Sequence, residues 1–188
     1  MTGKLELIIG PMFSGKSTEL IRRIRLLQKI DKKVLVVKPS IDNRFSIDKL
    51  TTHNFDSVES NVYQKLSDIS DNTISQYHTI VIDEGQFFPD LKEIVIRWVD
   101  NHNINIIIGG LDGDFKRNPI GQILELIPHS DKCIKLSSLC SICKDGTEAP
   151  FSFRTVNSND TVLVGGSESY IPVCRKHYKV TLQSNITK

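Results

Sequence analysis

The chain has 188 residues, 39% hydrophobic and 24% charged, which suits one medium domain, or one domain with a small appendage, and is ample for a core. A net charge of only +2 points to neither a nucleic-acid nor a membrane surface, and no apolar run approaches the roughly 20 residues needed to span a bilayer. The first apolar run begins at Leu5, so no secretory leader is expected.

That run, Leu5 to Ile9, predicts a strand, and Thr18 to Ile30 has apolar residues at helical spacing (Leu20, Ile21, Ile24, Leu27 and Ile30). Between them lies Gly10-Pro11-Met12-Phe13-Ser14-Gly15-Lys16-Ser17, a Gly-x-x-x-x-Gly-Lys-Ser loop in the strand-to-helix context that a phosphate-binding P-loop requires. Gly10 and Gly15 let the backbone N–H groups turn inward, and the helix N-terminus adds unpaired donors. Lys16 adds a full charge for the phosphates, and Ser17 a hydroxyl for Mg²⁺. Arg22, Arg23 and Arg25 read as a solvated face or an interface.

Val34 to Val37 is a continuous apolar strand ended by Pro39. Residues 40–75, with Asp42, Arg44 and His53, are polar and weakly periodic, expected to hold loops and a short helix. Thr79 to Ile82 is the next strand and runs into Asp83-Glu84-Gly85-Gln86-Phe87-Phe88. Asp90 and Glu93 suggest a capping box for a helix whose apolar face is Leu91, Ile94, Val95 and Trp98. Ile104 to Ile108 predicts a strand closed by Gly109-Gly110, and Ile120 to Ile127 a helix stopped by Pro128. The alternation predicts an α/β fold: a P-loop, RecA-like parallel sheet flanked by helices. Near residue 136 apolar runs shorten, giving a nucleotide-binding domain over 1–135 and a zinc-binding module carrying a lid loop over 136–188.

In such sheets ligands sit beyond the carboxyl ends of the strands, where the P-loop, Asp83-Glu84 and Asp112-Gly113 should converge. Asp83 is placed to serve Mg²⁺. Glu84 beside it is a candidate general base, activating either water, as in an ATPase motor, or a substrate hydroxyl, as in a kinase. Cys140, Cys143, Cys174 and His177 form a C-x₂-C…C-x₂-H set suited to a closed, structural Zn²⁺ site. The rival, a C-x-x-C redox pair, leaves Cys174 and His177 without a role, and Cys133 is expected to be a buried strand residue. An ATP-using protein with such cysteines belongs in reducing cytoplasm. The polar stretch within Ala149 to Tyr170 suits a mobile lid or, alternatively, a zinc-ribbon hairpin tip. A nucleic-acid role for the zinc module is disfavoured, because Lys144, Arg175 and Lys176 form no basic, aromatic-studded groove.

The P-loop with its Met-Phe, Asp83 to Phe88, Leu111-Asp112-Gly113 with Phe115, Gly165-Gly166 with Tyr170, and the four metal ligands together resemble the cytosolic-type thymidine kinase family over nearly the whole chain. The resemblance implies transfer of the ATP γ-phosphoryl group to the 5′-hydroxyl of thymidine, with Glu84 as base. Asp83 and Gln86 would join the P-loop in holding Mg²⁺-ATP, with Asp42 and Arg44 near the phosphates. Phe115 would stack on the base. Met12, Phe87, Leu111 and Ile120 would line its pocket, with Ile120 standing where relatives often carry Phe. Backbone groups of Thr161, Val162, Leu163, Val164 and Gly165 would hydrogen-bond the base, and Tyr170 would close that side. The family resemblance also implies a homotetramer and feedback inhibition by dTTP.

Overall fold

The computed structural model describes residues 2–41, 49–51, 57–156 and 165–186. Asp42, Arg44, His53 and Thr161 to Val164, singled out above, lie outside the described residues. The elements in order are β1 (Leu5–Ile9), α1 (Lys16–Gln28), β2 (Val34–Pro39), β3 (Lys49–Thr51), β4 (Ser57–Glu59), β5 (Asn61–Tyr63), α2 (Asp71–Ile74), β6 (Thr79–Ile82), α3 (Leu91–Asp100), β7 (Asn105–Gly110) and β8 (Lys132–Lys135). The C-terminal part adds β9 (Ser138–Leu139), β10 (Glu148–Ala149), β11 (Phe151–Arg154), β12 (Tyr170–Val173) and α4 (Arg175–Ile186).

Among the described residues the central sheet has six strands in the order β5-β2-β6-β7-β1-β8, every neighbouring pair parallel. The continuous apolar runs have a direct cause. Successive side chains on a strand point to opposite faces, and both faces are covered. Leu5, Leu7 and Ile9 of β1, Leu35 and Val37 of β2, Ile80 and Ile82 of β6, and Ile106 and Ile108 of β7 join one apolar cluster with Leu91, Ile94, Val95 and Trp98 of α3. Ile8, Val36, Val81 and Ile107 face the other way, onto Leu20, Ile21 and Ile24 of α1. No described helix is long and apolar enough to cross a membrane.

Several expectations need correction. Helix α1 begins at Lys16 and ends at Gln28, so Ile30 falls beyond it and is exposed. Arg22 and Arg25 are exposed, as a solvated face requires, but the face is also paired: Glu19 contacts both Arg22 and Arg23, and Arg23 also reaches Glu6. The Asp90–Glu93 capping box does not form. The Asp90 carboxylate instead accepts from the backbone N–H groups of Leu66 and Ser67, joining α3 to the 3₁₀ turn Leu66–Asp68 that lies before α2. The segment predicted as a helix over Ile120 to Ile127 is a 3₁₀ stretch, Ile123–His129, with Pro128 inside it. Gly121, at φ 59°, blocks an earlier start, and any side chain there would strike the Gln86 backbone. Cys133 lies on β8 as expected but is exposed, because β8 is a terminal strand with a neighbour on one side only.

Beyond β8 the chain forms two small antiparallel ribbons, β9 with β10 and β11 with β12. A separate apolar cluster of Cys140, Ala149, Phe153, Val173, Cys174 and Tyr178 packs them against α4.

Candidate active site and metal centre

The loop from Gly10 to Ser17 joins β1 to α1 with a backbone that only some residues accept. Gly10 has φ 150° and Gly15, the residue capping α1, has φ 83°, both in the region that favours glycine. Phe13 also has positive φ, at 63°. Lys16 is buried, and its Nζ donates to the Pro11 carbonyl at 2.7 Å, curling back over the loop. The Ser14 hydroxyl donates to the same carbonyl at 2.8 Å.

The order β6-β7-β1 puts one strand between the P-loop strand and the Asp83 strand, yet their ends converge. The Ser17 hydroxyl donates to Asp83 Oδ2 at 3.3 Å. Glycine at 109 allows this approach, since a Cβ there would lie 2.7 Å from a Leu20 methyl group and 3.3 Å from Asp83 Oδ1. A hydroxyl and a carboxylate at this spacing are hard oxygen donors of the kind Mg²⁺ takes together with phosphate oxygens and water.

Glu84, two residues beyond β6 and just before the 3₁₀ turn Gly85–Phe87, has φ 49°, a left-handed conformation that costs a non-glycine residue about 1–3 kcal/mol and turns its carboxylate out of the strand direction. It is buried, and Gln86 Nε2 donates to its Oε2 at 2.6 Å. Gln86 is fixed in turn, its Oε1 accepting from the backbone N–H of Leu111 at 2.9 Å. Gly110 makes room for that amide: a Cβ there would sit 2.5 Å from Gln86 Oε1 and 2.6 Å from Ile123 Cδ1. Gly110→Ala is therefore expected to displace Gln86 and lower kcat about ten- to a hundredfold, with KM for ATP nearly unchanged. Steady-state kinetics check this, and an unchanged kcat would remove Gln86 as the support of Glu84.

Of the residues expected to line a base pocket, Met12, Phe87, Leu111, Phe115, Ile120 and Gly165 are half-buried and Tyr170 is buried. Phe115 and Tyr170 are brought together through a residue that sequence reasoning missed. Arg154, buried at the end of β11, lies 3.8 Å above the Phe115 ring and donates from Nε and Nη2 to the Tyr170 hydroxyl at 3.2 and 2.8 Å. Ser152, also missed, accepts from the Met12 backbone N–H at 2.9 Å and so ties β11 to the P-loop. The alternation Phe151-Ser152-Phe153-Arg154 was the available signal for a strand there, but a lone arginine in it reads as a solvated charge.

The ligand atoms of Cys140, Cys143, Cys174 and His177 all lie within 4.8 Å of one another. His177 Nδ1 is 3.5, 3.3 and 3.4 Å from the three sulfurs, and the Cys143 and Cys174 sulfurs are 3.8 Å apart. Zn–S bonds near 2.3 Å and a Zn–N bond near 2.0 Å, placed tetrahedrally, require edges of about 3.8 and 3.5 Å. The donor set therefore fits zinc, and the grouping of all four sets aside the isolated redox pair. Burial and the neighbouring sulfurs push the Cys143 thiol up, while Cys140 is brought down by backbone N–H groups of Cys143, Cys174 and Ile142 that outweigh its burial. Thiolates this close repel, and a cation among them resolves the conflict.

A Gly-Lys-Ser loop at the carboxyl edge of a parallel sheet, facing an acid at the end of a second strand, defines a P-loop nucleotide-binding protein. The sequence matches the thymidine kinase family over residues 3–178, and the chain belongs to that family. Thymidine kinase of vaccinia virus (strain Western Reserve) is 44% identical over 176 residues, 94% of this chain and 97% of the viral one. That of monkeypox virus is 43% identical with the same coverage, and that of Oryza sativa subsp. japonica is 36% identical over 181 residues, 94% of this chain and 66% of the plant protein.

Proposed function

We propose that this kinase transfers the γ-phosphoryl group of ATP to the 5′-hydroxyl of thymidine, giving thymidine monophosphate. The observation that carries the reading is Glu84: a buried carboxylate, fixed by Gln86, beside the Ser17–Asp83 pair at the P-loop. A carboxylate so held suits removal of the proton from an attacking hydroxyl, which is worth about 10²–10⁴ in rate. The loop from Gly10 to Ser17 would hold the phosphates through Lys16 and the N–H groups from Phe13 onward, and Asp42 and Arg44 would lie near them. Ser17 and Asp83 would hold Mg²⁺, which when bound neutralises charge on the β- and γ-phosphates.

Phe115 would stack on the thymine, with Met12, Phe87, Leu111 and Ile120 lining the pocket and Tyr170 closing it. Residues Thr161 to Gly165 would read the base through their backbone, and the segment around them would act as a lid that excludes water. Residues 1–135 would form the nucleotide-binding domain and 136–188 the zinc module, a division supported by the separate apolar cluster around Cys140 and Tyr178. By family likeness the protein would be a cytoplasmic homotetramer inhibited by dTTP, with neither nucleic acid nor membrane as a partner.

Incubation with γ-labelled ATP and Mg²⁺, with and without thymidine, tests the reaction. Label is expected on thymidine monophosphate, with little release to water. Release to water at the same rate regardless of nucleoside would mean an ATPase instead.

A further inference from the structure

Arg154 and Phe115 come from different parts of the fold. Phe115 lies in the loop after β7, half-buried, where an aromatic side chain keeps rotamer freedom unless something holds it. Beside the adjacent Lys116, whose Nζ lies 5.4 Å from the ring centroid, two contacts from farther along the chain hold it. The Arg154 guanidinium carbon sits 3.8 Å from its ring centroid, within the reach of a stacked cation–π contact. Its backbone carbonyl accepts from the Tyr178 hydroxyl at 2.8 Å.

Both grips come from the C-terminal module. Arg154 is paired across the β11–β12 ladder with Tyr170, and its guanidinium lies 5.3 Å from that ring while donating to that hydroxyl. Tyr178 follows His177 directly, and its ring packs on Phe151 and Phe153 with the Arg117 guanidinium 4.3 Å from its centroid. Arg154 thus links the Phe115 ring to the Tyr170 hydroxyl in one cluster, and Tyr178 anchors the Phe115 backbone.

We propose that Arg154 is a positioning residue for the nucleoside pocket: its guanidinium fixes the Phe115 and Tyr170 rings in one arrangement, with Tyr178 pinning the Phe115 backbone. This rests on the reading above that Phe115 and Tyr170 wall the base pocket. A planar fork can lie flat on one ring while donating twice to the hydroxyl of the other, and a lysine ammonium cannot. Walls ordered in advance spare the nucleoside the cost of ordering them on binding.

Calorimetric titration of the full-length, zinc-loaded protein tests this, with thymidine and separately with Mg²⁺ and a non-hydrolysable ATP analogue. Arg154→Lys is expected to weaken thymidine about tenfold and the analogue by less than about twofold, with zinc content unchanged. Tyr178→Phe should shift thymidine in the same direction by about threefold. Added to Phe115→Leu, Arg154→Lys should cost less than about twofold more, because the two residues act as a unit.

Three results would overturn the positioning role. One is unchanged or tighter thymidine binding in Arg154→Lys, tighter binding meaning that the guanidinium occupies the base's face of Phe115. The second is equal weakening of both ligands, as from general destabilisation. The third is full additivity with Phe115→Leu. If Phe115→Leu itself leaves thymidine affinity unchanged, the pocket reading fails and this role with it. A weakened Phe115→Leu beside an unchanged Arg154→Lys overturns the role of Arg154 alone.

Discussion

Glu84→Gln is expected to bind ATP as the parent chain does and to turn over at least about 10²-fold more slowly, a barrier increase of about 2.7 kcal/mol. The substitution keeps the size of the side chain and an oxygen able to accept from Gln86 Nε2, so the left-handed turn at 84 and the chain of hydrogen bonds to Leu111 survive. What it removes is a site for the proton of the attacking hydroxyl. Nothing in the P-loop changes, since Lys16 and the Ser17–Asp83 contact lie on the donor side. Single-turnover transfer of labelled phosphate, with ATP affinity from equilibrium dialysis, separates the two quantities. Near-normal transfer would remove Glu84 as the base. A parallel loss of ATP affinity would place it among the phosphate-holding groups instead.

Removing zinc should have an effect of comparable size by a different route. Structural zinc in small zinc-finger peptides contributes on the order of 10–16 kcal/mol, because the site does not exist in the unfolded chain. Here the ribbons and α4 share only a small apolar cluster, and two of its members, Cys140 and Cys174, are themselves ligands. Chelation, or Cys143→Ser, is expected to open the C-terminal module to proteolysis near residues 140–178 and to abolish thymidine phosphorylation, leaving the helices around the parallel sheet intact by circular dichroism. Elemental analysis should find one zinc per chain. A protein purified without metal that resists protease and phosphorylates thymidine would refute the structural role.

The parallel sheet was readable because burial on both faces leaves a distinctive trace, four largely apolar runs (Leu5–Ile9, Val34–Val37, Ile80–Ile82 and Ile104–Ile108) broken only at Glu6 and Asn105. The P-loop was readable because phosphate binding constrains backbone conformation, and glycine is the visible mark of that constraint. The metal set was readable from ligand chemistry alone. Harder were features that depend on a partner far along the chain. Asp90 reads as a local cap, but its carboxylate serves N–H groups 23 and 24 residues away. Gly121 has no marked role within the helix predicted over Ile120 to Ile127, and only its approach to the Gln86 backbone shows why the helix cannot start there. Arg154 has nothing local to distinguish it from a surface charge, and its meaning lies in two rings from other segments.

The doubly apolar strands also bear on how the sheet finds its alignment. Where a strand has one wet face, slipping by a single residue exposes its apolar set to water, and that penalty enforces the pairing. For β1, β6 and β7 such a slip would merely trade one oily layer for the other. The alignment must be enforced by shape, and the glycines at the end of β7 supply it. Gly109 receives a Leu20 methyl group and Gly110 receives the Gln86 amide, gaps that no neighbouring isoleucine could offer if the strand moved by one place. The same pair of missing side chains that lets the turn at Glu84 assemble therefore also acts as the key that admits only one threading of the sheet.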